Sequence, residues 1–517
     1  MIRATGTRSS ASAALLALTL LARAAAAVAA GTPAETAPAP VAASAAVAPA
    51  PAAGTLTVRV REAVFMGLEN NRALRVERLQ PEVVRTGETA AVAPFDTQLG
   101  ASYQGQWGSV PKDKDGETDF ETGNIQRGSL EASRYLPTGT TLAGEYATGP
   151  GSGSYDSTTR LGLTVTQALL QGRGTEVNLA AVREARIDTA LSSEQLRGFA
   201  ESLVAQVEQA CWDYELAVRR IGIVERSLRL GEEQLAEVRE RVAVGRLAEI
   251  EVFAAEAEVA VRRETLINAR GARDLARLQL LRLLNPPGEN PLAREVAIGD
   301  APALPPAEPD PVEAHVALGL KMRPDLAEAR LRLQRGDLEL VRTRNGLLPQ
   351  LDIYVTAGKS GYADRILDTA DLSGEGYDVQ AGLVLRYPWQ NSAARADHRR
   401  AIVSRAQAEE SVANLAQLVE VDVRGAWIEL ARLREQAAAT AATRQLQEEK
   451  LRAETEKFRV GKSTAFLVAQ AQRDLLQAEN ETVTAFAGCI KASIELYRLE
   501  GSLLARRGIQ VPGPPRF

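Results

Sequence analysis

The sequence predicts a mainly α-helical chain with a minority of membrane β-strands, in which one plan, strands followed by a long antiparallel helical hairpin, is written twice. Three observations carry that prediction. Hydrophobic residues fill 45% of the 517 positions but aromatic rings only 4%, the balance of an Ala, Leu and Val chain suited to long helices. Apolar residues recur every seven positions across six heptads, and short windows alternate strictly between apolar and polar. Length alone allows about three ordinary domains, and the duplicated plan replaces that count.

Composition also excludes. With 2 Cys and no CxxC or HExxH string there is no disulfide framework and no zinc set. Only His315 and His398 could serve histidine acid–base chemistry. No catalytic residues, metal or cofactor are expected. A net charge of −5 without a clustered basic face argues against nucleic acid.

Residues 1–30 read as an export signal: Arg3 and Arg8, an apolar stretch from Ala11 to Ala22, and small residues to Val28-Ala29-Ala30. Its removal takes away three Arg and no acid, moving the charge from −5 to −8. Residues 31–54 are mostly Ala, Pro and small residues, the composition of a tether. No later segment has the roughly 18 uncharged apolar residues of a spanning helix. An exported chain of this kind enters a membrane only as strands closed into a barrel.

Self-comparison locates the copies. Val244-Gly245 recurs as Val460-Gly461, a shift of 216, and GLENNRAL from Gly67 recurs as GLKMRPDL from Gly319, a shift of 252. The first repeat is placed at 55–300 and the second at 301–517, joined by a segment with eight Pro between 285 and 311. The first long helix is predicted from about Gly174 to Ala243. Val207, Tyr214, Ile221, Leu228, Leu235 and Val242 form its seam at a spacing that winds helices into a left-handed supercoil. Some 70 residues at 1.5 Å each make a rod of roughly 105 Å. In the second copy the seam is Val423, Leu430, Ala437, Leu451 and Phe458, with Arg444 interrupting. Gly245 and Gly461 supply the positive φ at which each rod reverses. The return helices carry Phe253, Leu266, Leu275, Leu278 and Leu281, then Leu467, Leu475, Leu476, Ile490 and Ile494.

Strands are predicted at 97–109, around Leu161 to Val165, at 351–357 and at 377–387. A half-buried soluble sheet alternates in the same way. Aromatic placement decides for the membrane, because 8 of the 10 Tyr and 2 of the 4 Trp fall at 95–167 and 349–389, and such rings favour the lipid–water boundary. Tyr103, Trp107, Tyr146, Tyr377, Tyr387 and Trp389 are the interface candidates. Polar stretches from Lys112 and Gly149 read as external loops. An additional strand-like pair, from Arg127 and from Thr138, is joined by a Pro-Thr-Gly turn. Two helical hairpins cannot bury their apolar seams alone and a few strands cannot close a barrel, so copies must assemble round an axis.

LTVRVREAVFMGLENNRAL from Leu56, LGLTVTQALLQGRG from Leu161, VGRLAEIEVFAAEAEV from Val244, RPDL from Arg323 and FRVGKSTAFLVAQAQ from Phe458 together resemble the TolC-type outer membrane efflux proteins, from about Leu56 to Leu504. The resemblance implies a homotrimer sharing one barrel in outer-membrane lipid and one periplasmic tunnel of helices. It also implies a periplasmic adaptor docked on the helical tips and fed by an inner-membrane pump. Those tips are Val244, Gly245, Arg246 and Leu247, and Val460, Gly461, Lys462 and Ser463. An acid six residues past the tip Gly narrows the tunnel in some members. Glu251 stands there, with Glu249 nearby, but the second copy has Leu467. First-turn acids also simply complement the helix dipole. The family has four strands per protomer. With the extra pair this chain offers up to six: a pair that spans lipid gives 18 strands in a trimer and a wider pore, whereas one folded over the mouth or packed on the equator leaves 12, the count that Arg134, on one face with Leu130 and Ala132, favours. The competing reading is a periplasmic coiled-coil scaffold or pump adaptor. VGKST from Val460 is not a phosphate loop, because Glu456 replaces the required Gly and no strand precedes it.

Overall fold

The computed structural model describes residues 55–114, 117–150, 157–245, 247–300, 310–363 and 376–510. The expected export signal at 1–30, the tether at 31–54 and Arg246 lie outside the described residues. The elements are β1 (Leu56–Val58), α1 (Val60–Asn70), α2 (Arg72–Glu77), α3 (Gln80–Val92), β2 (Thr97–Lys114), β3 (Glu117–Leu136), β4 (Thr140–Pro150), β5 (Ser157–Ala168), α4 (Thr175–Asn178), α5 (Ala180–Ala243) and α6 (Ile250–Leu284). They continue with β6 (Val296–Ile298), α7 (Val312–Met322), α8 (Pro324–Gly346), β7 (Gln350–Ala363), β8 (Tyr377–Arg386), α9 (Ser392–Arg459), α10 (Ala465–Leu499) and α11 (Leu503–Arg506). The chain divides into a strand unit, 93–178 with 348–390, and a helical unit holding the other described residues.

In the helical unit, α5 has 64 residues and α9 has 68, rods of roughly 96 and 102 Å. The first rod starts at Ala180 rather than near Gly174, because Gly172 and Gly174 hold φ of +82° and +94° and break the chain there. α5 packs against α6, and α9 against α10, with α5 also meeting α8 and α10. Their seam positions Val207, Tyr214, Val224, Val238, Val423, Leu430 and Phe458 are buried.

The duplication shows in matched backbone devices. Asn71 (φ −62°, ψ 121°) and Arg323 (φ −65°, ψ 124°) end α1 and α7 in the same conformation, each donating its N–H to the Gly four residues earlier. Those glycines are seats for the rods. A Cβ on Gly67 would lie 3.0 Å from Val207 Cγ2, and one on Gly319 would lie 3.2 Å from Val423 Cγ2, and Val207 and Val423 are themselves 216 apart. The Pro-rich junction is not merely a linker, since β6 pairs in parallel with β1, Leu56 opposite Val296, and Tyr214 Oη donates to Val296 O at 2.6 Å.

The strand unit is one antiparallel sheet in the order β2-β3-β4-β5-β7-β8. The pair from Arg127 and Thr138, expected over the mouth or on the equator, is instead paired within this sheet. β3 pairs with β2 from Thr97↔Arg134 to Lys114↔Glu117, and β4 pairs with β5 from Thr140↔Gln167 to Pro150↔Ser157. Much of the expected loop from Lys112 is likewise strand. Apolar alternation stops near Trp107, whereas backbone pairing needs no apolar side chain and continues into polar sequence. Of the expected loop from Gly149, residues 151–156 lie outside the described residues.

Candidate functional site

The sheet has two chemically distinct faces, and register determines which residues share them. One hydrogen-bonded row reads Leu99, Ala132, Gly144, Leu163, Ala357, Val379, and the same face carries Tyr103, Trp107, Tyr146 and Tyr377. Although apolar, Leu99, Leu163, Val379, Leu383 and Leu385 are between 57% and 68% exposed in the single chain. The opposite face is polar. Ser102 and Ser129 hydroxyls meet at 2.9 Å, Thr164 and Thr356 at 3.0 Å, and Arg160 donates to Asp378 at 2.6 Å. The last contact crosses Gly358, where a Cβ would lie 2.7 Å from Asp378 Oδ1 and 2.8 Å from Arg160 Nη2. Such a sheet can separate lipid from water.

The aromatic candidates fall at the ends of the apolar band. Tyr146 and Tyr377 stand in the row of Leu130 and Leu161, while Tyr387 and Trp389 follow the other end of β8 and are 49% and 88% exposed. Ten residues separate Tyr377 from Tyr387, which at about 3.3 Å each and a tilt of about 40° gives roughly 25 Å, the height of a barrel's apolar band. The Trp107 ring lies back over Gly105, where a Cβ would lie 2.7 Å from Cη2.

The helical tips are paired by geometry and distinguished by chemistry. Gly245 and Gly461 adopt φ +75° and +74°, donating their N–H groups to Val242 O at 2.9 Å and Phe458 O at 3.1 Å. Val244 and Val460 are exposed to 66% and 68%. Leu247 is half-buried against Val238, Phe458, Ala465 and Val468. Ser463 Oγ donates to Glu454 at 2.8 Å, and Lys462 is exposed. Of the apolar residues expected on the return helices, Phe253, Leu275, Leu278 and Leu467 are exposed. Helical spacing identifies an apolar stripe but not which molecule covers it. With Ile250 and Phe466, Phe253 and Leu467 form apolar collars around the tips that basic-residue reasoning overlooked.

Sequence reasoning also missed Arg241, whose guanidinium lies 4.1 Å from the centre of the Phe458 ring and donates to Phe458 O at 3.2 Å, joining the first tip to the second. Its signal, a lone Phe where copy one has Val242, is too weak to read unaided. Glu249 is exposed at the start of α6. Glu251, two residues on, lines a hollow of about 230 Å³ with Gln234, Phe466 and Arg473. The two acids are thus close in sequence but not equivalent in setting.

Elsewhere the titratable groups serve packing. His315 Nδ1 meets Glu500 at 2.6 Å, both buried, and Glu500 also accepts from Ser502 and Arg506. Ser502 donates to Glu500 rather than to His315, which makes it part of this buried packing cluster. Arg507 reaches Glu208 at 2.6 and 2.7 Å, fastening the C-terminal segment to α5. Cys211 and Cys489 are free and buried, and burial pushes the Cys211 thiol up to about 12. Among the described residues no His, Cys, Asp and Glu group is arranged for a metal, and no helix is long and apolar enough to cross a membrane.

A sheet with one lipid-compatible and one wet face, joined in sequence to twice-written helical hairpins, defines a channel-wall protein. The sequence profile described as "Outer membrane efflux protein" matches residues 66–286 and 317–502, either side of the Pro-rich junction, and the chain belongs to that family. It is an outer-membrane efflux channel with a long periplasmic portion, not an enzyme. Solved structures share the fold. A membrane protein from Pseudomonas aeruginosa is 21% identical, with 86% of this chain and 93% of that chain covered at a TM-score of 0.65. The outer membrane protein VceC from Vibrio cholerae is 15% identical, with 86% and 96% covered at 0.65. The Campylobacter jejuni outer membrane channel CmeC is 13% identical, with 86% of each chain covered at 0.65. No curated protein matches the chain in sequence.

Proposed function

We propose that three copies of this chain, exported by residues 1–30 and freed of them, form one duct whose strands share a barrel and whose helices share a periplasmic tunnel. An adaptor docks on Val244 to Leu247 and Val460 to Ser463, and an inner-membrane pump drives cargo through it to the exterior. The observation that carries this reading is the sheet's pair of open edges. Among the described residues β2 and β8 each have one neighbour, and a long unpaired edge is satisfied without aggregation when β8 of one copy takes β2 of the next and the ring closes.

The helices support the same ring. Val421 and Ile428, one heptad apart on α9, are 65% and 62% exposed, and Ile267 and Leu275 on α6 are 70% and 65% exposed. Apolar stripes on different helices suit a head-to-tail contact. At the tips, the Val244, Ile250, Phe253, Val460 and Phe466 collar offers an adaptor an apolar anchor and Lys462 a charged rim. Glu249 and Glu251, once from each copy, place six carboxylates around the tunnel end as a gate.

The deciding experiment is the native mass of the detergent-extracted protein with its outline in electron micrographs. A particle of three protomer masses with a projecting rod is expected. Recovery as a monomer in the soluble periplasmic fraction would overturn the reading and leave the scaffold alternative standing. Photo-crosslinkers at Val244 and Val460 should capture the adaptor in cells, and equal capture from mid-helix Leu446 would remove the tips as the docking site.

A further inference from the structure

The β3–β4 hairpin is what the first copy has and the second lacks, and its place in the sheet bears on the pore. It is not laid across other strands. β3 and β4 lie between β2 and β5, so the hairpin supplies two of the six strands in one uninterrupted ladder.

Its faces match those of its neighbours. Ala101, Leu130, Tyr146, Leu161, Lys359 and Tyr377 make one row, with the hairpin contributing Leu130 and Tyr146 to the apolar side. On the other side Glu131 stands directly opposite Glu145. With Arg160 and Asp378 on the same face, these carboxylates make a charged surface that suits water and not lipid.

Arg134 is the charge on the hairpin's apolar face, and its position removes the objection it raised. It pairs with Thr97, the first residue of β2, and donates Nε to Phe95 O at 3.3 Å. It therefore stands at the rim, where a charge in a barrel costs about 0–1 kcal/mol rather than the midplane penalty. The adjoining turn is short and pinned. Gly139 holds φ +86°, Asn178 donates to Pro137 O at 3.0 Å and accepts from Tyr135 Oη at 2.9 Å. Short turns of this kind belong on the periplasmic side of a barrel.

We propose that β3 and β4 cross the lipid as part of the pore wall, so that a ring of three copies closes eighteen strands instead of twelve. At constant tilt, diameter grows in proportion to strand number, so the exit is about 1.5 times as wide as four strands per copy would allow. It therefore admits cargo of larger cross-section. The inference rests on the trimeric duct reading.

Single cysteines carrying a nitroxide label, in protein reconstituted into nanodiscs, test it. Cys211 and Cys489 are 0% exposed and leave the added thiol as the reactive one. Labels at Leu130, Ala132 and Tyr146 should relax with oxygen, and labels at Ser129, Glu131 and Glu145 with a water-soluble nickel chelate. If both sets respond to the chelate, the hairpin lies outside the lipid wall and the proposal falls. Amide exchange of unsubstituted protein in the same discs decides without substitutions: Leu130 to Arg134 should be as protected as Leu161 to Val165, and rapid exchange confined to the hairpin overturns the proposal. The native mass separates the failures. A trimer with a wet hairpin overturns only the eighteen-strand wall, whereas a soluble monomer overturns the duct as well.

Discussion

The two copies agree where the chain packs on itself and disagree where it faces something else. The tip turns share φ within a degree, +75° against +74°, and the rod seats Gly67 and Gly319 face Val207 and Val423. Yet copy one has Glu251 where copy two has Leu467, and copy one brings four strands to the sheet where copy two brings two. A duplicated chain must keep the contacts that close each hairpin, because a misfit there costs the whole fold. Surfaces toward lipid, cargo or a partner answer to separate demands and are free to diverge.

The largest expected effect comes from the stripes that only neighbouring copies cover. Val421→Lys with Ile428→Lys in copy two, or Ile267→Lys with Leu275→Lys in copy one, should abolish the trimer in native mass while helical circular dichroism is retained. A trimer surviving one pair alone would show that the copies contribute unequally.

Next comes the shared packing. Gly319→Val forces methyl groups onto Val419, Val423 and the Glu500 backbone and should cost about 1–3 kcal/mol, read as a lowered melting midpoint. Gly67→Val should match it, and a harmless substitution at either site would break the equivalence of the seats.

Glu201 sharpens the comparison through pH. Burial raises its carboxyl from the ordinary 4.5 to about 7, with Leu504 N–H donating to it at 3.3 Å. A carboxyl raised in the folded state favours folding fully below about pH 4.5 and loses that contribution as pH rises through about 7. Glu201→Gln installs what copy two carries at Gln417. It should raise the melting midpoint at pH 8 by about 2–4 °C and leave it nearly unchanged near pH 4.5; a gain independent of pH would point to packing instead.

The smallest effect is expected at the tips. Gly245 and Gly461 have open space around the missing Cβ, so Gly→Ala meets only the left-handed backbone penalty of about 1 kcal/mol. Equal small losses of stability are expected in the two copies, and a loss of export from one alone would assign adaptor docking to that tip.

Much of this architecture was legible because periodicity is a local property. Heptads identified α5 and α9, and tip glycines located the reversals. Strand alternation located parts of β2, β5, β7 and β8. What escaped were features set by distant partners. Phe253 and Leu275 repeat like seam residues, and nothing local distinguishes a stripe covered by the same chain from one left for a neighbour. Arg134 interrupts an apolar face in the sequence, and only its pairing with Thr97 shows that it stands opposite the first residue of β2. The parallel pairing of β1 with β6, some 240 residues apart, left no trace in composition because three-residue strands are too short to show a period.

By itself the sequence determined the twice-written plan, the helical rods, their glycine reversals and the alternating strand faces, all of which follow from side-chain spacing along one backbone. Only the tertiary structure decided that six strands share one sheet, that Glu131 meets Glu145 across it, and that Arg241 joins the two tips over Phe458. Those depend on register between segments far apart in the chain, which hydrogen bonding and packing select collectively and no single segment encodes.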